Sequence, residues 1–543
     1  MSVRCVVDNT VSHIEKKATS KLSDKDRVII EESNAILDRS SDRSDKRGKN
    51  RIALIQPRKG GRPALGLLYI GAYLLDNQYE VRIFEFLDEL YPLNIRYNKR
   101  IWKDLKNYDP DFIGFGVISS TFRITQRLMS KVRKDMPGKI IICGGKHATS
   151  NPKDLLSNDA DFCAIGESEI TMVELLDALN FKEPIEDVKG IAYLKDDKIE
   201  FTPQRSFLPM DYILRPAFEL VDYEKYVDFR LQSIPGHYLR SGFIFGSRGC
   251  PYKCEFCTTN IRSSYRERSV DDLIDEIEWQ INKFNIEGFV VLDDLFYFRE
   301  SRTVEFCKKI IERNIKTKFF CHARVDKVKK ETVELMKNAG VLLLAIGVES
   351  GSQKILDAMK KGITVEQIEN AFKIYNEVGI NTFAFIIVGH PEETEEDRRL
   401  TKQLLKKIKA TNVAVNYYMP MPGTPSFDFE ISNAKYLSGG NKFGEFTYTT
   451  DYPEFSTSVP LEELKKIGDE FQSMSIVDRN KNLFTYPGFI TFLIKFFLFH
   501  PFVILKALYL RYIAHKTHQI SRLAVIKDAI QFHKQKFKNP VIK

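Results

Sequence analysis

Apolar residues in this chain fall into short runs separated by amphipathic stretches. The first run, Arg51-Ile-Ala-Leu-Ile-Gln56, ends at Pro57 and a Gly-Gly pair, which predicts a buried strand followed by a loop. Helices are predicted over residues 65–75, 125–134 and 169–179, and strands over 80–86, 112–118, 140–145 and 161–165. Strands alternating with helices imply a parallel α/β sheet covered on both faces, doubly wound and Rossmann-like, with ligands at the carboxyl ends of its strands. Those ends carry Ser119-Ser120-Thr121, Gly144-Gly145-Lys-His147 and Gly166-Glu167.

A hairpin is predicted near residues 189–204, with Asp196-Asp197 at its turn, and a Pro-containing linker follows. A second alternating block has strands over 243–247, 288–292, 318–321, 342–347, 382–388 and 412–416. Its helix over 269–283 opens with the capping pattern Ser269-x-x-Asp272. About six βα units make an open, partial barrel with its chemistry at the strand carboxyl ends. The expected organisation is a disordered, polar extension (1–50), a Rossmann-like domain (51–182), a hairpin and linker (183–240), a partial barrel (241–430) and a C-terminal helical region (431–543).

That last region changes the picture of where the chain works. Residues 483–512 are rich in Phe, Leu and Ile, but Lys495, His500, Pro501 and Lys506 interrupt them. A span of the bilayer needs about 20 consecutive apolar residues, so a transmembrane helix is not expected. Two readings stay open: an interfacial helix pair, or a helical cap on the barrel with a solvated basic face. From Lys495 onward there are ten Lys/Arg and one acid, Asp528, which matches the net charge of +9 for the whole chain. The remainder is near balance, so nucleic-acid binding is not indicated. The N-terminus has no apolar signal-peptide core, and the expected compartment is the cytoplasm, with peripheral membrane contact through the basic tail.

Eight cysteines in 543 residues do not make a disulfide scaffold. Cys5, Cys143, Cys163, Cys307 and Cys321 are scattered, and most sit in apolar runs as inert thiols. Cys250, Cys254 and Cys257 cluster in Gly246-Ser-Arg-Gly-Cys-Pro-Tyr-Lys-Cys-Glu-Phe-Cys257. Three thiolates at this spacing can hold three corners of a four-iron cluster and leave one iron open to a substrate. Structural zinc is the alternative, but it takes four ligands and no fourth stands nearby.

The segment resembles the radical S-adenosylmethionine (SAM) superfamily, and the likeness extends past the cysteines. Phe256 precedes the third cysteine as in that motif, and Asp293-Asp294 end the second strand. His322-Ala-Arg-Val-Asp326, Ala345-Ile-Gly-Val-Glu-Ser-Gly351, Gly389-His-Pro-Glu-Glu-Thr394 and Met419-Pro-Met-Pro-Gly-Thr-Pro425 resemble later signatures. The resemblance implies that Cys250, Cys254 and Cys257 carry a [4Fe-4S] cluster whose open iron chelates SAM. It implies SAM contacts from Phe256, Asp293, Asp294, Arg324, Gly347 and Glu349, and reductive cleavage of SAM to a 5′-deoxyadenosyl radical. Glu349 as a paired core carboxylate and Arg324 as an ion-pair partner of Asp326 remain open readings.

Residues 51–182 resemble the cobalamin-binding domain that precedes many radical SAM domains. The likeness rests on Pro63-Ala-Leu-Gly-Leu-Leu-Tyr-Ile-Gly71, Ile113-Gly-Phe-Gly-Val-Ile-Ser119, Gly144-Gly-Lys-His-Ala-Thr149 and Gly166-Glu-Ser-Glu169. It implies cobalamin contacts at Ser119, Ser120, Thr121, Gly144, Gly145, His147 and Glu167. The Asp-x-His-x-x-Gly motif that ligates cobalt from below in mutases is absent, and Gln56-Pro-Arg-Lys-Gly-Gly61 stands there instead. His147 as a satisfied loop histidine, and a domain that no longer binds a corrin, stay open.

Paired, the two domains imply a cobalamin-dependent C-methyltransferase acting on an unactivated carbon. The alternatives are non-methylating C–C bond formation, cyclisation or oxidation of a lipid or isoprenoid, and a non-catalytic iron–sulfur or corrinoid sensor. A flavodoxin- or ferredoxin-type reductant is the implied partner. RNA methylthiotransferases carry a second cysteine triad in the N-terminal domain; this chain has only Cys143 and Cys163 there.

Overall fold

The computed structural model describes residues 22–58, 63–87, 92–227, 239–260, 264–427 and 459–476. The described residues begin with a helix, inside the stretch expected to be a disordered extension. Helix α1 (Asp24–Asp42) is capped by the Ser23 side chain, which accepts from the Asp26 N–H. It turns Ile30, Ser33, Leu37 and Ser40 inward and packs on a helix of the first domain. Arg47, just beyond it, is a buried ion-pair partner of Asp177 at 2.9 Å and stacks over the Tyr79 ring.

The first sheet holds β1 (Arg51–Arg58), β2 (Glu80–Leu87), β3 (Phe112–Gly116), β4 (Ile140–Gly144), β5 (Phe162–Ala164), β6 (Ile191–Lys195) and β7 (Lys198–Phe201), in the order β2-β1-β3-β4-β5-β6-β7. The first five strands run parallel, and the hairpin β6–β7 adds antiparallel. Asp196 and Asp197 both have positive φ, as a two-residue hairpin turn demands. Helices α2 (Leu65–Asp76), α3 (Pro92–Tyr108), α4 (Phe122–Asp135), α5 (Lys146–Ser150), α6 (Pro152–Leu156) and α7 (Glu169–Phe181) connect the strands. Two apolar clusters fill the two faces: Leu54, Ile142 and Val173 belong to one, and Ile55, Phe115 and Met129 to the other. Burial on both faces is what the uninterrupted apolar runs required. The order reverses at β1, and a crevice opens beyond the carboxyl ends of β1 and β3.

The second sheet is parallel throughout and keeps chain order: β8 (Ser241–Ile244), β11 (Gly288–Val291), β12 (Lys318–Ala323), β13 (Val341–Glu349), β14 (Asn381–Val388) and β15 (Asn412–Tyr417). Between β8 and β11 lies the two-stranded ribbon β9 (Ser247–Arg248) with β10 (Arg266–Glu267). Helices α8 (Val270–Phe284), α9 (Glu300–Glu312), α10 (Lys330–Asn338), α11 (Gln353–Ala358), α12 (Val365–Val378) and α13 (Glu395–Ile408) make the crossovers, and α14 (Leu461–Ser473) packs by β15. Six βα-connected parallel strands in sequential order make the open, partial barrel expected of the second block.

The linker binds the two domains together. Ala217 N–H donates to the Leu68 carbonyl of α2 at 3.1 Å, and the Phe218 ring packs on Tyr223, Trp279 and Phe284. Tyr223 places its hydroxyl against Gln280 of α8 and the Phe243 amide of β8. The apolar tail over residues 483–512 and its basic continuation lie outside the described residues. Among the described residues no helix is long and apolar enough to cross a membrane.

Candidate active site

The cysteine loop hangs from the ribbon β9–β10, beyond the carboxyl end of β8. Gly249 enters it with φ 82°, and a Cβ there would stand 2.6 Å from the Ser264 carbonyl, so the loop closes at its base only with glycine. Cys254 is buried, whereas Cys250 and Cys257 are half-buried. Burial pushes the Cys250 and Cys254 thiols up, and Lys361 opposes this at Cys254. Among the described residues no three His, Cys, Asp or Glu side chains gather as one metal ion requires. A cluster spreads its thiolates more widely, one to each iron.

The two aspartates at the end of β11 do different things. Asp293 is fully buried, and its carboxylate accepts from the Gly246 N–H and the Ser247 hydroxyl, each at 2.6 Å. Burial pushes its pKa up, against the hydrogen bond from Ser247 and the nearby Arg302. Asp293 therefore shapes the backbone leading into the cysteines and has no face turned to a ligand. Asp294 is exposed, accepts from Thr259 Oγ1 at 3.0 Å, and lines a cavity.

Deeper around the barrel mouth, Glu349 and Lys361 form a buried ion pair at 2.6 Å. Gly347 makes room for it: a Cβ there would lie 2.3 Å from Glu349 Oε1 and 2.5 Å from Lys361 Nζ. The Lys361 ammonium faces the Phe256 ring at 6.0 Å. Burial lowers its pKa, but Glu349 and Cys254 outweigh that and raise it. Arg324 pairs with Asp326 at 3.1 Å, donates to the Lys361 carbonyl, and lies 3.5 Å over the Tyr252 ring of the cysteine loop. Tyr252 in turn donates to Asp326. Arg324 is thus both Asp326's partner and a brace for the loop. Gly347 and Arg324 are engaged by protein groups.

A cavity of about 450 Å³ lies between the two domains. Its first wall comes from the carboxyl ends of β1, β3, β4 and β5, with Gln56, Gly116, Gly144, Gly145 and Glu167 among its residues. Its second wall is the cysteine-loop side of the barrel, including Phe245, Arg248, Thr258, Thr259 and Asp294. The sequence-predicted corrin contacts divide here. Gly144, Gly145 and Glu167 line the cavity; Ser119, Ser120, Thr121 and His147 do not. His147 is fully buried, with Nδ1 against Ser119 Oγ at 3.0 Å, Nε2 3.5 Å from Asp154, and its ring stacked on Phe122. Its Nδ1 is partnered, whereas the buried Nε2 has no hydrogen-bond partner among the described residues, so the satisfied loop histidine describes one nitrogen of the two. Thr121 bonds back to Ile118 within its own turn. The first-domain loops instead present Gln56, Lys146 and Thr149. Gln56 was legible as the residue opening the loop where a histidine motif was missing; Arg248 and Lys361 carried no local signal.

Comparison with known proteins agrees with this geometry. Residues 244–405 match the family model for the radical SAM superfamily, and residues 53–176 match that for the B12 binding domain. The chain is 26% identical to an uncharacterized methyltransferase of Pyrococcus horikoshii, over 75% of this chain and 84% of the relative. It is 27% identical to the cytidylyl-2-hydroxyethylphosphonate methyltransferase of Streptomyces wedmorensis, over 60% of this chain and 69% of the relative. It is 27% identical to the anaerobic magnesium-protoporphyrin IX monomethyl ester cyclase of Cereibacter sphaeroides, spanning 61% of this chain and only 55% of that relative. In fold it is similar to the radical SAM methyltransferase TsrM from Kitasatospora setae, with cobalamin and a [4Fe-4S] cluster bound (TM-score 0.57, 18% identity, 72% of this chain and 76% of that one). It is likewise similar to the cobalamin-dependent radical enzyme OxsB with aqua-cobalamin and SAM bound (TM-score 0.60, 18% identity, 89% and 75%).

The chain carries a radical SAM domain, preceded by an N-terminal B12-binding domain. A radical SAM domain implies a [4Fe-4S] cluster and SAM, and a B12-binding domain implies cobalamin. The residues present fit these groups. Soft thiols on a single loop suit iron–sulfur chemistry, and a cavity walled by glycines and apolar side chains suits a broad, flat macrocycle.

Proposed function

We propose that this protein is a cobalamin-dependent radical SAM methyltransferase that places a methyl group on an unactivated carbon. The observation that carries the reading is the shared cavity, whose walls are the ligand-binding strand ends of both domains. When bound, the cluster supplies the electron that cleaves SAM to a 5′-deoxyadenosyl radical, and cobalamin supplies a methyl carrier. The chain's own residues hold and orient these groups. Cys250, Cys254 and Cys257 would ligate the cluster, with Phe256 beside them in the same loop. Asp294, exposed at the cavity edge, meets the cationic amino group of SAM by charge-assisted hydrogen bonding. Glu349, fixed by Lys361, would accept from the nucleoside hydroxyls of SAM, while Asp293 and Arg324 hold the loop in shape. Gln56, Gly144, Gly145 and Glu167 bound the corrin side and would orient the group there. A flavodoxin- or ferredoxin-type protein delivers the electron.

The test supplies SAM carrying a deuterated methyl group to the anaerobically reconstituted protein. Label in the product supports methyl transfer. Substrate consumed without label favours the second reading, a ring-forming or oxidative radical enzyme, to which the similarity to the cyclase points.

A further inference from the structure

The two domains adhere mainly through apolar contacts. Leu65, Leu68 and Tyr69 of α2 join the barrel's hydrophobic cluster with Phe218 of the linker. Such contacts hold surfaces together without fixing their register, because an apolar surface tolerates sliding. One feature of the interface does not tolerate it. Arg248 donates from one nitrogen to Glu167 at 2.8 Å and to Glu169 at 2.7 Å. Glu167 lies in the turn between β5 and α7 and Glu169 opens α7, both at the corrin side of the cavity. Arg266, paired with Arg248 across the ribbon, also donates to Glu167 and to the linker carbonyl of Leu208. The Arg248 guanidinium lies 4.8 Å over the Tyr69 ring of α2. All four charged side chains are largely enclosed, with between 10% and 22% of their surface exposed, and their charges balance. A shift of one domain by a few ångströms would strand buried charges, which is costly, so the tetrad permits one register.

We propose that Arg248 is a positioning residue that fixes the cysteine loop, two residues away, relative to the corrin-side wall of the cavity. The proposal rests on the function given above and adds to it: the distance between the two cofactor sites is set by the pairing of Arg248 with Glu167 and Glu169. Loss of Arg248 should leave the cluster ligands intact while loosening the wall that faces the corrin.

The experiment compares the parental protein, Arg248→Met and the charge-balanced double variant Arg248→Met/Glu169→Gln, all reconstituted anaerobically. Iron and sulfide content, thermal midpoint, hydroxocobalamin affinity by absorbance titration, and labelled methyl product per 5′-deoxyadenosine are measured. Expected for Arg248→Met is parental iron content, with corrin affinity and the product ratio each down about tenfold. The double variant leaves no uncompensated charge, so it should recover the thermal midpoint but not the affinity or the ratio. The proposal is overturned if Arg248→Met binds hydroxocobalamin as the parent does, or if the double variant recovers affinity along with stability, which marks a purely structural role. A parental protein that binds hydroxocobalamin but transfers no label refutes methyl transfer alone, and the affinity arm still decides on Arg248.

Discussion

Replacing Asp293 by asparagine should damage the cysteine loop, whereas the same change at Asp294 should not. Asp293 is wholly enclosed, with both oxygens taken by Gly246 N–H and Ser247 O–H at 2.6 Å. Arg302 donates to the Gly246 carbonyl at 2.9 Å, so the turn entering the loop is gripped from two sides. An amide offers one acceptor where the carboxylate offers two. The Ser247 hydroxyl can rotate to accept, but the Gly246 N–H keeps only a neutral partner. A hydrogen bond to a charged group contributes about 1.5–3 kcal/mol, so one weakened bond, one inverted bond and the loss of one of the two carboxylates beside Arg302, which keeps Glu267 at 4.0 Å, should cost about 2–4 kcal/mol. Urea unfolding of both variants measures this, with iron content after anaerobic reconstitution as the second readout. Asp293→Asn should lose stability and cluster together. Asp294→Asn should keep both within about 0.5 kcal/mol, as expected of an exposed side chain, and should weaken SAM binding. Equal stability of the two variants would refute this division of roles.

Glu393 accepts from the Gly389 N–H at 2.8 Å, and burial pushes its pKa up to about 7. Its folded-state pKa lies above the unfolded value, so the folded chain keeps a proton that the unfolded chain releases. Stability should therefore fall as pH rises from about 4.5 through 7, by at most about 3 kcal/mol, and Glu393→Gln should flatten that slope in urea unfolding at about pH 5 and pH 8. Gly145 has φ 99°, and a Cβ there would lie 2.7 Å from the Val117 carbonyl. Gly145→Ala should lower the thermal midpoint through a loss of about 2 kcal/mol and weaken hydroxocobalamin binding, since Gly145 lines the cavity. Cys254→Ala should abolish the cluster's absorbance and its reduced spin signal together; persistence of either would remove Cys254 from the ligand set.

The strands were legible because parallel strands buried on both faces are written as plain apolar runs, as at Ile52–Ile55 and Phe112–Phe115. Helix α1 was not, because half of its buried positions are serines: Ser33 bonds to its own helix and Ser40 sits under Arg47. A polar stretch reads as solvated until the surface that covers it is known. The cysteine spacing singles out one loop, but the aspartate pair did not say which member faces the cavity. Adjacent residues at a strand end point to opposite sides, so burial alone decides between Asp293 and Asp294. Residues 119–121 and His147 raise a related difficulty. They lie at strand ends, where ligands bind, yet Ser119 meets His147 and Thr121 bonds back to Ile118. Arg248 meets Glu167 across about eighty residues and two domains, a pairing with no local pattern.

The cysteine loop takes its shape from nearly every strand of the barrel. The end of β11 grips its entry through Asp293. The segment after β12 braces Tyr252 through Arg324 and Asp326. The segment after α11 accepts the Glu255 N–H at the Met359 carbonyl, and Tyr418 beyond β15 donates to the Glu255 side chain, with His390 beyond β14 at 3.5 Å. Glu349, at the end of β13, stands at φ 63°, where the β13–β14 register shifts. A non-glycine residue in that conformation is strained and persists only where its surroundings over-determine it. Here Lys361, next to Cys254 and Phe256, does so. Tethers from one or two strands would let the thiols move independently. Tethers from all sides make their spacing a property of the whole barrel mouth, which is what a rigid cluster with one open iron requires. The Arg248 tetrad extends the same rigidity across the interface to the domain that faces it.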